Sequence, residues 1–431
     1  MFKKGILALS IVALVVFAAG LAFAADIDGL TDVGDMGGYN VYVNPGNQGD
    51  TLLYGYYNVR GYGNLFTIVN TSDTVGVVAR IRFKEATESD EVLDFNICLS
   101  KDDMFVGVIV DDGTQGRLFQ LDSDTTLTAP SIPATGVAFK HSANGGIATV
   151  TADETKEGYI ELIGLQTIAA EPTTCPSTTS DGATSNDVPN VLAGAFFMQN
   201  LTTGDLYSYR ALALADFSLC GIDTPAGLGS LFPELDDGLN SACLSVGVNP
   251  VNWALTKRFV GSEYFLNTTG DTNLDDSTGE SAFVLTFPTK SLDSSKWEDL
   301  TSCTDTRGAQ VGFEIFDENE NTITTPEQFS PIQQVVNVLC YEVNVIELGN
   351  STVTSDILNS GVEIGVSTDT FGLGWIRLDL YNGNAAAHAT INSQSTMNSL
   401  GLPSWGWWLQ RVGTNGTGTD IFYETDFAAA G

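Results

Sequence analysis

Asp271, Asn273 and Asp275 stand at positions one, three and five of the run Asp271-Thr272-Asn273-Leu274-Asp275-Asp276, and Asp317, Asn319 and Asn321 repeat the spacing. Alternating carboxylate and amide oxygens are how a calcium loop presents hard ligands to its ion, so calcium is the cofactor these residues suggest. The first run lacks the glycine of such a loop at position six, where Asp276 stands, and its glutamate at position twelve, where Ala282 stands; the second run shares the defects. The same residues also suit polar hairpin tips, because Asp and Asn side chains bond their own backbone two residues on.

Trp405, Trp407 and Trp408 form a second constellation. On a strand, alternation puts Trp405, Trp407 and Leu409 on one side and Trp408 on the other. A row of exposed aromatic rings stacks on sugars, whereas buried ones pack a core or a subunit interface.

Catalytic chemistry finds few candidates. The chain has two histidines, His141 and His388. Neither belongs to a His-Glu-x-x-His zinc pattern, and both read as solvated surface residues. Gly365-Val366-Ser367-Thr368-Asp369 lacks the last glycine of a nucleophile elbow, Gly61-Tyr62-Gly63 fails the dinucleotide pattern at Phe66, and no phosphate-cradling loop occurs. Glycoside hydrolysis needs two carboxylates about 5 to 9 Å apart. Glu161, Glu314 and Glu342, on strand-like segments, are the candidates, but with 53 acidic residues such pairs arise by chance. The chain reads as a non-enzyme.

The elements that would position these residues are strands. From Val75 to Lys84, Val75, Val77, Ala79, Ile81 and Phe83 share one face while Arg80, Arg82 and Lys84 share the other, the pattern of a half-buried antiparallel strand. Leu65 to Val69 precedes it across Asn70-Thr71-Ser72-Asp73, which predicts a hairpin. Met104 to Val110, a continuous apolar run, turns at Asp111-Asp112-Gly113 and returns from Arg117 to Leu121. Beyond Asn249-Pro250 the pattern restarts, with strands expected at Trp253 to Val260, Ser281 to Phe287, Val311 to Phe316, Tyr341 to Leu348, Val362 to Val366, Gly374 to Tyr381 and Trp405 to Val412. Thr167 to Asn190 turns polar and Pro-rich, and a helix is expected only around Ser230 to Leu235. Many short strands without intervening helices predict an all-β chain of two antiparallel β-sandwich domains, residues 25–245 and 246–431, with long Ser/Thr/Pro/Gly-rich loops.

Met1 to Ala24 has a basic start at Lys3 and Lys4, an apolar stretch from Ile6 to Phe17 and Ala22-Phe23-Ala24 before Asp26, which fits a secretory signal cut after Ala24. No later segment offers 18 consecutive apolar residues for a membrane span. Exported cysteines pair: Cys98 with Cys175, Cys220 with Cys243 and Cys303 with Cys340 if nearest neighbours join, one of fifteen connectivities. A formal charge of −35 repels phosphate backbones and anionic lipid, which excludes nucleic acid as a partner.

Lys156-Glu157-Gly158-Tyr159-Ile160-Glu161-Leu162-Ile163, and Glu85 to Leu99 with its Glu91-Val92-Leu93-Asp94-Phe95 run, resemble a group of exported bacterial β-rich surface proteins with no assigned activity. The resemblance covers about a third of the chain and implies export and β structure. In composition the chain is also similar to surface-layer subunits. Together these readings predict a secreted or cell-surface structural protein, a lattice or filament subunit that self-associates or meets other envelope components. The alternatives are an adhesin or glycan-binding protein using the C-terminal tryptophans, and an outer-membrane β-barrel.

Overall fold

The computed structural model describes residues 41–177, 188–217, 235, 250–257, 259–266, 277–290, 309–322, 335–349, 357–368, 372–380, 402–414 and 417–419. These form two compact units. The first takes the residues through Phe83, Glu91–Lys156 and those described from Ile160 to Phe217 and at Leu235; the second takes Lys84–Asp90, Glu157–Tyr159 and everything described from Pro250 on. The chain is all-β and sandwich-like, as its alternation predicts.

The first unit is built from β1 (Tyr42–Val43), β2 (Thr51–Asn58), β3 (Tyr62–Asn70), β4 (Gly76–Glu85), β5 (Glu91–Leu99), β6 (Met104–Asp111), β7 (Gly116–Gln120), β8 (Leu127–Ala129), β9 (Val137–Ala138), β10 (Glu157–Ile168), β11 (Leu192–Asn200), β12 (Leu206–Arg210) and β13 (Leu212–Ala215). A seven-stranded sheet runs β1-β13-β2-β10-β4-β5-β8 and a six-stranded sheet runs β12-β11-β3-β6-β7-β9. Aromatic rings fill the space between them. Phe66 of β3 meets Tyr54 of β2 and Phe83 of β4 edge-on, both at 5.9 Å between centroids, and Phe105 of β6 meets Phe95 of β5 at 6.4 Å. Such edge-to-face pairs add about 0.5–1.5 kcal/mol each beyond the area they bury.

The β6–β7 hairpin forms as expected, pairing Val110 with Arg117 and Asp111 with Gly116. The expected β3–β4 hairpin does not: β3 lies in the six-stranded sheet and β4 in the seven-stranded one. The cause is Asn70, buried at the crossing, whose side chain donates to Val75 O and Ser100 O and accepts from Ser72 N, tying the turn to neighbouring loops. Strand β4 is also buried on both faces, not one. Arg80 pairs with Asp94 and donates to Asn96 Oδ1, and Arg82 lies 3.4 Å from Glu91. Asn96 donates to Pro176 O at 2.9 Å, beside Cys175, which is joined to Cys98 with a Cα separation of 5.5 Å. The polar, Pro-rich segment after β10 is thereby held against this face.

The second unit opens on α1 (Pro250–Leu255), followed by β14 (Thr256–Lys257), β15 (Phe259–Phe265), β16 (Ser277–Thr286), β17 (Ala309–Asp317), β18 (Val335–Leu339), β19 (Val343–Gly349), β20 (Glu363–Ser367), β21 (Leu373–Asp379), β22 (Leu402–Pro403), β23 (Trp405–Thr414) and β24 (Thr417–Thr419). The strand expected from Trp253 therefore begins as a helical turn and a half. Pro250 at the first helical position explains it, since proline has its φ preset there and no N–H is needed. A four-stranded sheet, β15-β21-β17-β18, and a five-stranded one, β20-β19-β16-β23-β24, share one core of Tyr264, Phe313, Ile376 and Leu378 with Phe283, Leu285, Ile346 and Trp408. β19 and β20 pair in parallel, an exception to the antiparallel rule. Among the described residues every sheet is open at its edges, and no helix is long and apolar enough to cross a membrane. The helix expected around Ser230 to Leu235 lies outside the described residues except for Leu235.

Candidate functional site

Asp271, Asn273 and Asp275 lie outside the described residues. Asp317, Asn319 and Asn321 form a hairpin tip after β17. Asp317 Oδ1 accepts the backbone N–H groups of Asn319 and Asn321 at 2.9 and 2.7 Å, and Oδ2 accepts the Asn321 side-chain amide at 2.7 Å. Burial works to raise the Asp317 carboxyl, but these three donors outweigh it and hold it below its ordinary range. The carboxylate oxygens are thus engaged by the turn itself. Among the described residues no three His, Cys, Asp or Glu side chains converge as metal ligands.

Trp405, Trp407 and Trp408 are buried, at 6, 4 and 2 % exposure, so they form no exposed row. β23 pairs with β16 along its length, and the Trp408 ring packs on Phe283 with centroids 4.5 Å apart. Of the cysteines, Cys98 and Cys175 are joined and Cys340 is also in a disulfide; Cys220, Cys243 and Cys303 lie outside the described residues. His141 is buried, not solvated: its Nδ1 accepts from Ala143 N and its Nε2 meets Gln115 Oε1 at 2.6 Å, so it caps the 3-10 turn Ser142–Asn144. His388 lies outside the described residues.

The three candidate glutamates are not brought together. Glu161 is buried on β10, in the first unit. Glu314 pairs with Arg377 across β17 and β21. Glu342 sits with Lys290, both nearly inaccessible, with Lys290 Nζ and Glu342 Oε1 3.4 Å apart. Lys290 Nζ donates to Cys340 O at 2.7 Å. Burial pushes Glu342 up to about 8 against the pull of Lys290, and Glu85 adds repulsion. Its Oε2 has no hydrogen-bond partner, which a neutral carboxyl tolerates far better than a carboxylate. Burial likewise lowers Lys290, although Glu342 and Glu88 oppose it. Glu85 is raised by burial even though its oxygens accept from Thr87, Glu88 and Asp90 backbone N–H groups and the Thr87 hydroxyl. Each group is committed to internal partners, the arrangement of a structural cluster.

Exposed chemistry appears elsewhere, on the outer face of the four-stranded sheet. Register places Glu263 of β15, Trp375 of β21 and Phe316 of β17 in one cross-strand row and Gly261, Arg377 and Glu314 in the next. The Trp375 and Phe316 rings stack, 4.3 Å apart and inclined by 11°. Trp375 remains 38 % exposed and Leu373, two residues before it, 40 %. Arg377 Nε donates to Glu314 Oε2 at 2.7 Å. Sequence reasoning passed over this face, yet alternation marks it: Ile376, Leu378 and Leu380 point inward, which turns Trp375 and Arg377 out.

The chain matches no protein-family model, no curated protein and no solved structure.

Proposed function

We propose that this is an exported, non-catalytic structural protein of the cell surface that acts by self-association through a sheet face. The observation that carries the reading is the six-stranded sheet, which is apolar on both sides. Phe66, Phe105 and Phe196 point into the aromatic core. On the other side Leu65, Val106 and Val108 are ringed by half-buried Val110, Phe119, Leu121 and Phe197. An antiparallel sheet that faces water carries polar residues on that side. The centre of this face is already sheltered within the chain, and its half-buried rim, Val110, Phe119, Leu121 and Phe197, is the apolar surface that a second copy would cover with no new chemistry. The N-terminal signal pattern and the disulfides favour an oxidising compartment. Groups with displaced titration, such as Glu342 and Lys290, are tied to internal partners, which favours work by contact over turnover.

Sedimentation velocity of the mature protein, over two decades of concentration and with calcium or chelator, tests the reading. Concentration-dependent assembly is expected, and Phe119→Asp, at the half-buried rim of the face, should abolish it while leaving the fold intact. A monomer under every condition, or assembly indifferent to Phe119→Asp, defeats the reading.

A further inference from the structure

The Trp375 strip contributes little to the core of its own unit. Its ring lies on the solvent side of β21, with Phe316 stacked on one face. That stack restrains the indole, so little side-chain freedom remains to be lost on binding. Two residues further along β21, about 7 Å away at roughly 3.4 Å per residue, comes the Arg377–Glu314 ion pair, with Nε and Nη2 both donating to Glu314 Oε2. Arg377 is 39 % exposed and Glu314 23 %, and Gly261 beside them on β15 leaves that end of the row without a third side chain. A restrained, exposed aromatic ring followed at one sugar's width by paired donors and acceptors suits a ligand with an apolar C–H face and a rim of hydroxyls.

We propose that this strip binds a neutral saccharide, with a pyranose face on the Trp375 indole and its hydroxyls bonded to Arg377 and Glu314. Charge selects the class. Glu263 in the same row, and Glu318 and Glu320 at the adjoining hairpin tip, are exposed carboxylates that repel phosphorylated, sulfated or sialylated ligands. Size points the same way: the apolar strip is exposed Leu373 and Trp375 with half-buried Phe316, well short of the roughly 800 Å² per partner that a stable protein interface buries. The site belongs to the second unit and the self-association face to the first, and the proposal does not depend on that face.

A glycan array carrying neutral hexose and N-acetylhexosamine oligosaccharides beside sialylated and sulfated ones, followed by calorimetric titration of the neutral probes, tests the proposal on the disulfide-intact full chain. Neutral probes should bind and acidic ones should not. Trp375→Ala should weaken binding at least tenfold, and Arg377→Lys, which keeps the charge and loses the fork, severalfold; a thermal melt of each variant checks that the unit remains folded. Phe119→Asp should leave saccharide binding unchanged, so a failure of self-association and a failure of this site are read separately. No neutral ligand at roughly millimolar concentration, undiminished binding by folded Trp375→Ala, or preference for acidic glycans overturns the proposal.

Discussion

Replacing Glu342 with glutamine isolates one buried carboxyl, whose titration in the wild type makes stability depend on pH in a direction opposite to ordinary acid denaturation. In the folded protein the carboxyl is raised from 4.5 to about 8, chiefly by burial. A carboxyl raised in this way favours the native state while protonated: its contribution is full below pH 4.5 and is lost as pH climbs through 8. At 1.36 kcal/mol per unit the shift sets a ceiling of about 5 kcal/mol on that loss. Lys290 works the other way, because a lowered ammonium is least costly to the fold when it is neutral at high pH. Near pH 5 the wild type carries a neutral carboxyl beside Lys290 and Glu342→Gln carries a neutral amide of the same shape, so the two should agree within about 1 kcal/mol. At pH 9 the variant should be more stable by about 2–4 kcal/mol, below the ceiling because Lys290 then lacks a charged partner. Urea titrations followed by tryptophan fluorescence read this in the second unit alone, since all six tryptophans lie at or beyond Trp253. A variant less stable than wild type by about 3–5 kcal/mol throughout would mean that Lys290 and Glu342 are a charged pair at neutral pH, and the argument would fail.

Two further predictions concern the first unit. Asp94→Ala leaves Arg80 buried without its carboxylate and should lower stability by about 2–3 kcal/mol, less than a fully buried pair because Asp94 is 26 % exposed; circular dichroism during urea unfolding measures it. The double substitution of Cys98 and Cys175 by alanine opens a loop with a sequence separation of 77, for which chain entropy alone gives about 4.5 kcal/mol. A loss of about 3 kcal/mol is expected, and an unchanged unfolding midpoint would show that Asn96 and its neighbours hold Pro176 in place unaided.

Period-two alternation was enough to read an all-β sandwich from the sequence, because each strand must place one set of side chains in a core. It could not tell which sheet a strand joins. Leu65 to Val69 and Val75 to Lys84 look like a hairpin by spacing, and their separation rests on Asn70, whose hydrogen bonds to Val75 and Ser100 depend on a loop 30 residues away. Nor could alternation reveal that the Arg80, Arg82 and Lys84 face is covered. Burying a basic row requires Glu91 and Asp94 on the next strand and a loop pinned by Cys175, and only the last of these leaves a trace in composition.

The aromatic residues show why a cluster in sequence is a poor guide to an exposed site. Trp405, Trp407 and Trp408 alternate on β23, but all three are buried, so both faces of that strand are covered and the whole cluster goes in. Trp375 is a single tryptophan in sequence, on a strand whose other face already supplies Ile376 and Leu378 to the core. Its ring has no place in that core, and its stacking partner Phe316 comes from 59 positions earlier through the β17–β21 register. Cross-strand pairing makes the two rings a unit, and pairing is the one quantity that local pattern does not encode. A solvent-facing aromatic is therefore better sought opposite a strand's apolar set than where aromatics crowd together.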